Sequence, residues 1–346
     1  LYTALVRRNA LGVLLFLAAC AAGFAASPAQ TDVPSQDTQP SFGEWLEGVR
    51  AEALARGIRQ EIVDEALNLE EILPVVLERD RTQAETIQPL EGYISNRVTP
   101  AMVRTGRQML ARHRTLLAKV SQTYGVPASV IVSIWGLESN FGRFVGVRPT
   151  VAALATLAWD PRRSVFFRGE LFSALEILNR GDVELASLLG SWAGAMGQPQ
   201  FMPSSYLQYA VDFDGDGRRD IWRSHGDIFA SVANYLRGHG WVNGNRWGRD
   251  VSVPTEAASR VTTLDRRDGG CRAIREMTVR LPLDEWQRLG VRLPDGSRLP
   301  SAAFEASLVA GSSRHFLVYD NYDVLLTYNC AHAYALSVAI LSERIS

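Results

Sequence analysis

A carboxylic acid sits where an apolar residue belongs. In Val130-Ile131-Val132-Ser133-Ile134-Trp135-Gly136-Leu137-Glu138-Ser139-Asn140-Phe141-Gly142, helical spacing puts Val130, Ile131, Ile134 and Glu138 on one face. Three of these are aliphatic. Burial disfavours the charged form of an acid, so the Glu138 pKa should rise and the side chain should donate a proton near neutral pH. The competing reading is a buried Glu paired to an Arg for structural reasons.

Further on, Ser191-Trp192-Ala193-Gly194-Ala195-Met196-Gly197-Gln198-Pro199-Gln200-Phe201-Met202-Pro203-Ser204-Ser205-Tyr206 mixes small residues with neutral polar and aromatic ones. Glycine lets backbone approach a ligand closely. Ser191, Gln198, Gln200 and Tyr206 offer uncharged hydrogen-bonding groups, and Trp192 and Phe201 offer flat apolar faces. That combination suits a sugar ring, with hydroxyls on its edge and C–H on its face. The alternative is a Gly-rich loop packed under a helix.

A third stretch, Asp212-Phe213-Asp214-Gly215-Asp216-Gly217-Arg218-Arg219-Asp220, has Asp at positions one, three and five, Gly at six and Asp at nine of a calcium loop. Arg218, at position seven, would contribute its carbonyl. Position twelve is Arg223, where a bidentate Glu is expected, and Asp227 just beyond is the candidate replacement. Any calcium here is expected to be structural. The alternative is an Asx-rich turn without metal.

These groups must be held by a scaffold that the rest of the chain describes. The protein has 346 residues, 47% hydrophobic and 21% charged, with net charge −1. Those values fit an ordinary globular protein and give no reason to expect nucleic acid as partner. Arg7 and Arg8 precede an apolar run from Ala10 to Ala26, which reads as an export signal over 1–26. Leu17-Ala18-Ala19-Cys20 has the pattern of a lipobox that would lipidate Cys20; ordinary cleavage after Ala26 would discard it. Residues 27–40 read as a disordered linker. In an oxidising compartment the remaining cysteines, Cys271 and Cys330, are expected to form a disulfide, with two free buried thiols as the alternative.

Ser41 and Glu44 have capping-box spacing ahead of a helix. A second helix is expected over about 59–69. Thr99-Pro100 marks an N-cap and first helical residue of a long helix to about Tyr124. Further helices are expected near 150–158, 164–179, 204–210 and 227–238. From about 250 short strands are expected at 251–253, 277–281, 306–309 and 316–319, with one helical turn at 284–289. An amphipathic helix from about 331 to 345 closes an α+β chain that is mostly α. Tyr328-Asn329 is placed where the last strand meets that helix, and Asp160-Pro161-Arg162-Arg163 on a turn.

Together these motifs resemble the membrane-bound lytic murein transglycosylase B family, which is related to lysozyme. The resemblance rests on Gly136-Leu137-Glu138-Ser139-Asn140-Phe141-Gly142, Pro161-Arg162-Arg163, Ala193-Gly194-Ala195-Met196-Gly197, Gln200-Phe201-Met202-Pro203-Ser204-Ser205-Tyr206, Ala210-Val211-Asp212-Phe213, Ser231-Val232-Ala233-Asn234-Tyr235 and Tyr328-Asn329. It implies a helical N-terminal domain (41–100), a lysozyme-like core with the calcium loop (101–249), a small inserted β domain (250–327) and a returning helix (328–346). It further implies cleavage of the MurNAc–GlcNAc bond of peptidoglycan with Glu138 as the single acid/base. Ser191, Gln200, Phe201, Tyr235, Tyr328, Asn329 and Tyr93 would then meet the glycan, and Arg162 and Arg163 would lie near muramyl or peptide groups. The calcium loop would use Asp212, Asp214, Asp216, the Arg218 carbonyl, and Asp220 or Asp227. The expected protein is a periplasmic monomer, lipid-anchored to the outer membrane. A hydrolytic muramidase and a non-catalytic peptidoglycan-binding lipoprotein are the alternative functions.

Overall fold

A computed structural model describes residues 39–82 and 88–346. The expected signal and Cys20 lie outside them. Among the described residues the first element is α1 (Phe42–Ala55), whose capping box is made as expected: the Ser41 hydroxyl accepts from the Glu44 amide, and the Glu44 carboxylate accepts from the Ser41 amide. Helices α2 (Gln60–Ala66), α3 (Pro74–Thr82) and α4 (Leu90–Arg97) follow. The last two were not anticipated, because neither carries a sustained apolar stripe. Thr99 caps α5 (Pro100–Arg112) by accepting from Met102 N, with proline at the first helical position.

The expected long helix is two. At His113, φ −105° and ψ 17° end α5 and begin α6 (Arg114–Tyr124). No Gly or Pro announces the break. Its partners are distant in sequence: the His113 ring lies 4.5 Å from His225 and 5.8 Å from Trp135, centroid to centroid. Gly125, at φ 72°, turns the chain into α7 (Ala128–Ser139), whose Val130–Leu137 segment is entirely buried.

Strand β1 (Arg148–Pro149) leads into α8 (Thr150–Trp159) and α9 (Ser164–Arg180), and β2 (Leu189–Gly190) pairs back on β1. Helices α10 (Pro203–Tyr209) and α11 (His225–Gly238) complete a helical body around one large apolar core. Next come β3 (Gly248–Val251), α12 (Thr255–Thr262), α13 (Arg272–Glu276), β4 (Leu281–Pro282), α14 (Leu283–Leu289), β5 (Glu305–Ala310) and β6 (His315–Val318). The four strands form an antiparallel sheet in the order β3-β6-β5-β4. This region has its own small core around Trp286, whose indole N–H donates to Ala306 O at 3.0 Å.

Residues 277–280 do not form the expected strand. Thr278 instead makes a single bridge to Arg266 and touches β5 at one residue, its Oγ1 accepting from the Leu308 amide at 2.9 Å, so no ladder forms along the run. Tyr328 ends a helix, α15 (Asp320–Tyr328), and Asn329 caps it, so neither follows a strand; α16 (His332–Ile345) then packs against α7. Cys271 and Cys330 are joined, Cα to Cα 6.1 Å.

Candidate active site

The end of α7 is built to present one acid. Asn140 (φ 49°) and Phe141 (φ 59°) leave the helix in the left-handed region, where non-Gly residues are uncommon. The reversal folds Phe141 back onto Gly136, where a Cβ would meet the ring at 2.7 Å, so no other residue fits there. Ser139 fixes the turn by donating to Trp135 O at 3.0 Å and accepting from Gly142 N at 3.1 Å.

Glu138 occupies the last turn. Protein surrounds its carboxyl on nearly every side, yet the residue keeps partial solvent access. Its pKa is pushed up to about 7, first by burial; the Tyr334 hydroxyl and the Arg97 guanidinium oppose the shift without cancelling it. The helix C-terminus, with its partial negative charge, works in the same direction as burial. Arg97 is not paired to the acid: its guanidinium donates to Leu137 O at 2.5 Å, next door. The Tyr334 hydroxyl is buried, completes no hydrogen bond elsewhere, and bears on the Glu138 carboxyl, which together with burial holds its own pKa well above the usual tyrosine range. Neither Tyr334 nor Arg97 stood out in the sequence, since a tyrosine on a terminal apolar stripe reads as packing.

Around Glu138 the tyrosines form a shelf. The Tyr328 hydroxyl donates to Pro199 O at 2.7 Å, and that of Tyr235 donates to Thr327 O at 2.7 Å. The Tyr328 and Tyr235 rings meet edge to face at 4.8 Å, and Tyr328 stacks toward Tyr334 at 6.3 Å. Tyr328 is also in electrostatic contact with Glu138, as Tyr93 is with Tyr334.

Other candidates take different places. Phe201 is only 2% exposed, behind Tyr235 and Tyr328, so it supports the shelf and offers no open face. Gln198 is spent on structure, accepting from Trp135 Nε1 at 2.6 Å and donating to Trp222 O at 2.7 Å. Gln200 has φ 54°, and its amide donates to Gly197 O at 2.8 Å. The Ser191 hydroxyl accepts from Ala193 N and Ala195 N, which leaves its own proton available to donate. Asn329 is exposed. Arg162 and Arg163 are about half exposed, and both grip the buried Asp80 carboxylate on α3, a partner the sequence did not suggest. A cavity of about 560 Å³ lies elsewhere, lined in part by Gly146, Asp182, Glu184 and Trp222, and does not include Glu138.

In the acidic loop, carboxylate oxygens of Asp212, Asp214 and Asp227 come within 4.8 Å of one another. Among the described residues none of the three makes an ion pair. Asp227 is fully buried, and burial raises its pKa, with Asp214 adding repulsion. Three converging, uncompensated carboxylates fit a hard divalent cation. Asp216 and Asp220 lie outside this cluster and cap backbone amides of Arg218, and of Trp222 and Arg223; Asp212 and Asp227 accept backbone amides as well.

A helical core closed around one weakly acidic carboxyl at a helix end is the arrangement of the lysozyme-like enzymes as a class. This chain belongs within that class to the transglycosylase SLT domain family, whose model matches residues 41–343. It is 39% identical over 195 residues to membrane-bound lytic murein transglycosylase B of Escherichia coli (strain K12), an alignment covering 54% of this chain and 53% of the relative. The chain thus spans about half the length of that curated relative. The crystal structure of SltB3 from Pseudomonas aeruginosa in complex with NAG-NAM-pentapeptide superposes with a TM-score of 0.79 at 41% identity, covering 88% of this chain and 79% of that one. The same protein is known in complex with NAG-anhNAM-pentapeptide. Escherichia coli Slt35 in complex with calcium matches with a TM-score of 0.72 at 29% identity, covering 87% and 92%.

Proposed function

We propose that this protein is a lytic transglycosylase that cleaves the MurNAc–GlcNAc bond of peptidoglycan without water, leaving 1,6-anhydromuramyl ends. The observation that carries the reading is the solitude of Glu138. Glycosidases that hydrolyse through paired carboxylates need two acids flanking the bond, and among the described residues no second Asp or Glu is among the groups that shift the Glu138 pKa. One acid suffices if the substrate supplies the nucleophile. Protonated Glu138 gives its proton to the glycosidic oxygen as the C1–O bond breaks. The muramyl acetamido group steadies the positive charge at C1. Ionised Glu138 then takes the proton of the same sugar's C6 hydroxyl, whose oxygen closes onto C1. The acid is restored and atoms balance.

Tyr334 orients the carboxyl. Tyr328, tied to Pro199 O, braces the loop that carries Gln200, and Ser191 has a proton to give the acetamido oxygen. Tyr93 and Asn329 would complete the glycan contacts, and Arg162 and Arg163 would meet anionic peptide groups. SltB3, whose complexes contain a pentapeptide-bearing disaccharide and its anhydro form, supports this substrate class. Mass spectrometry of digested murein tests it: anhydro ends are expected, and reducing muramyl ends would overturn it. Because the first step needs the protonated acid, kcat/KM should hold below and fall above about pH 7, where Glu138 ionises. A profile flat to pH 9 would remove Glu138 as the donor.

Asp212, Asp214 and Asp227, with the Arg218 carbonyl, would hold calcium. The ion would neutralise the carboxylates and tie the loop to α11. Adding calcium at a hundredfold over its Kd should stabilise the chelated protein by about 2.7 kcal/mol. Thermal unfolding with and without chelator measures it, and Asp227→Asn should abolish the calcium response. The relative from Escherichia coli is membrane-bound by name, and no single helix among the described residues is long and apolar enough to cross a membrane. From the Leu17-Ala18-Ala19-Cys20 pattern we propose a lipid at Cys20 as the anchor of a periplasmic, monomeric enzyme. Labelling with a radioactive fatty acid, lost in Cys20→Ser, tests that anchor.

A further inference from the structure

Arg97, which opposes the rise in the Glu138 pKa, rides on α4 together with Tyr93, which lies against Tyr334. That helix is poorly equipped to hold itself. It has only eight residues, no side-chain cap at its start, and one buried residue, Ile94. So short a helix is marginal alone, and its apolar hold is limited to Ile94, the adjoining Val98 and its packing on α16.

A polar clasp adds a second hold, at the opposite end of the helix from Arg97. Glu91, in the first turn of α4, reaches the turn between β5 and β6. Its Oε1 accepts from Ser313 N at 2.8 Å and Arg314 N at 3.1 Å, and its Oε2 accepts from the Ser312 hydroxyl at 2.9 Å. Gly311 makes room, since a Cβ there would stand 2.3 Å from Glu91 Oε1. The turn itself is anchored: the Arg314 guanidinium forks onto both carboxylate oxygens of Asp250 on β3, at 2.7 and 2.8 Å. Ser313 N is the first of the donors that hold the Glu91 carboxyl down at about 2, so it stays ionised across any working pH.

We propose that Glu91 is a positioning residue for the reaction: through this clasp the small β-sheet sets where α4 lies, and so how strongly Arg97 bears on the proton donor. The contacts run without a gap from Asp250 through Arg314 and Glu91 to α4, and from Arg97 to Leu137 O beside Glu138. The charged and titratable groups facing Glu138 are Arg97 from α4, Tyr334 from α16 and Tyr328 from α15. Only Arg97 carries a charge in the neutral range. Loosening α4 therefore withdraws positive charge, disfavours the ionised acid, and moves its titration upward.

The proposal rests on Glu138 as the donor, and its test reads the acid itself. The Glu138 carboxyl is titrated by carbon-13 NMR in the full chain, assigned by its loss in Glu138→Gln, for wild type, Glu91→Gln and Gly311→Ala. The second variant leaves every charge in place and blocks the clasp sterically. Both should raise the Glu138 midpoint by on the order of half a pH unit, move the alkaline limb of kcat/KM on murein by the same amount, and lower kcat. A wild-type midpoint in both folded variants would overturn the clasp; should Glu91→Gln not fold, Gly311→Ala decides alone. If the midpoint moves while wild type yields no anhydro ends, the clasp stands and the transglycosylase reading falls.

Discussion

Glu138→Gln is expected to keep the fold and lose the chemistry, with formation of anhydromuramyl ends falling about 10²–10⁴-fold, the usual contribution of a positioned proton donor. Glutamine preserves the shape and cannot deliver a proton. The same variant should be more stable than wild type on the alkaline side. The folded-state pKa of Glu138 lies above its unfolded value, so folding prefers the protonated acid. Wild type therefore carries no penalty below the unfolded pKa near 4.5, and an increasing one as pH rises through about 7. A gap of that size corresponds to about 3 kcal/mol as an upper figure. Denaturant unfolding should show the two proteins alike at pH 4 and Glu138→Gln ahead at pH 8. A variant that retained most of its activity, or gained nothing at pH 8, would show that the acid is neither the donor nor costly to ionise.

Opening the Cys271–Cys330 bond should bring the largest loss of stability. The bond closes a loop of 59 residues, for which the chain-entropy account gives about 4 kcal/mol, a fall in Tm on the order of 10 °C. Cys271 is the residue before α13, and Cys330 lies two residues past Tyr328. The tie thus joins the β-rich insertion to the end of the tyrosine shelf. In Cys271→Ser/Cys330→Ser, or under reductant, calorimetry should register the drop, and kcat should fall with it as Tyr328 loosens its hold on Pro199. Unchanged Tm and turnover would leave the bond without either role.

What the sequence disclosed follows from how far each interaction reaches. The caps at Ser41 and Thr99 were legible because donor and acceptor stand three residues apart. Glu138 was legible because an acid on an aliphatic stripe contradicts its own neighbours. The break at His113 was hidden because its cause, rings on Trp135 and His225, lies far along the chain. Phe201 looked like a sugar face because an aromatic beside glycines gives no sign of which way it turns; the fold puts it at the back. Tyr334, Arg97, Asp80 and Glu91 share one property: each acts on a residue at least forty positions away, and each is an unremarked side chain until the helices meet.

The hydroxyl that steadies the acid belongs to α16, far downstream of Glu138 in the chain. A ribosome makes Glu138 long before it makes Tyr334, so a half-synthesised or clipped polypeptide holds an undirected carboxyl. On the proposed reading, the proton donor gains its direction only once α16 has docked, so the chemistry waits on completed folding.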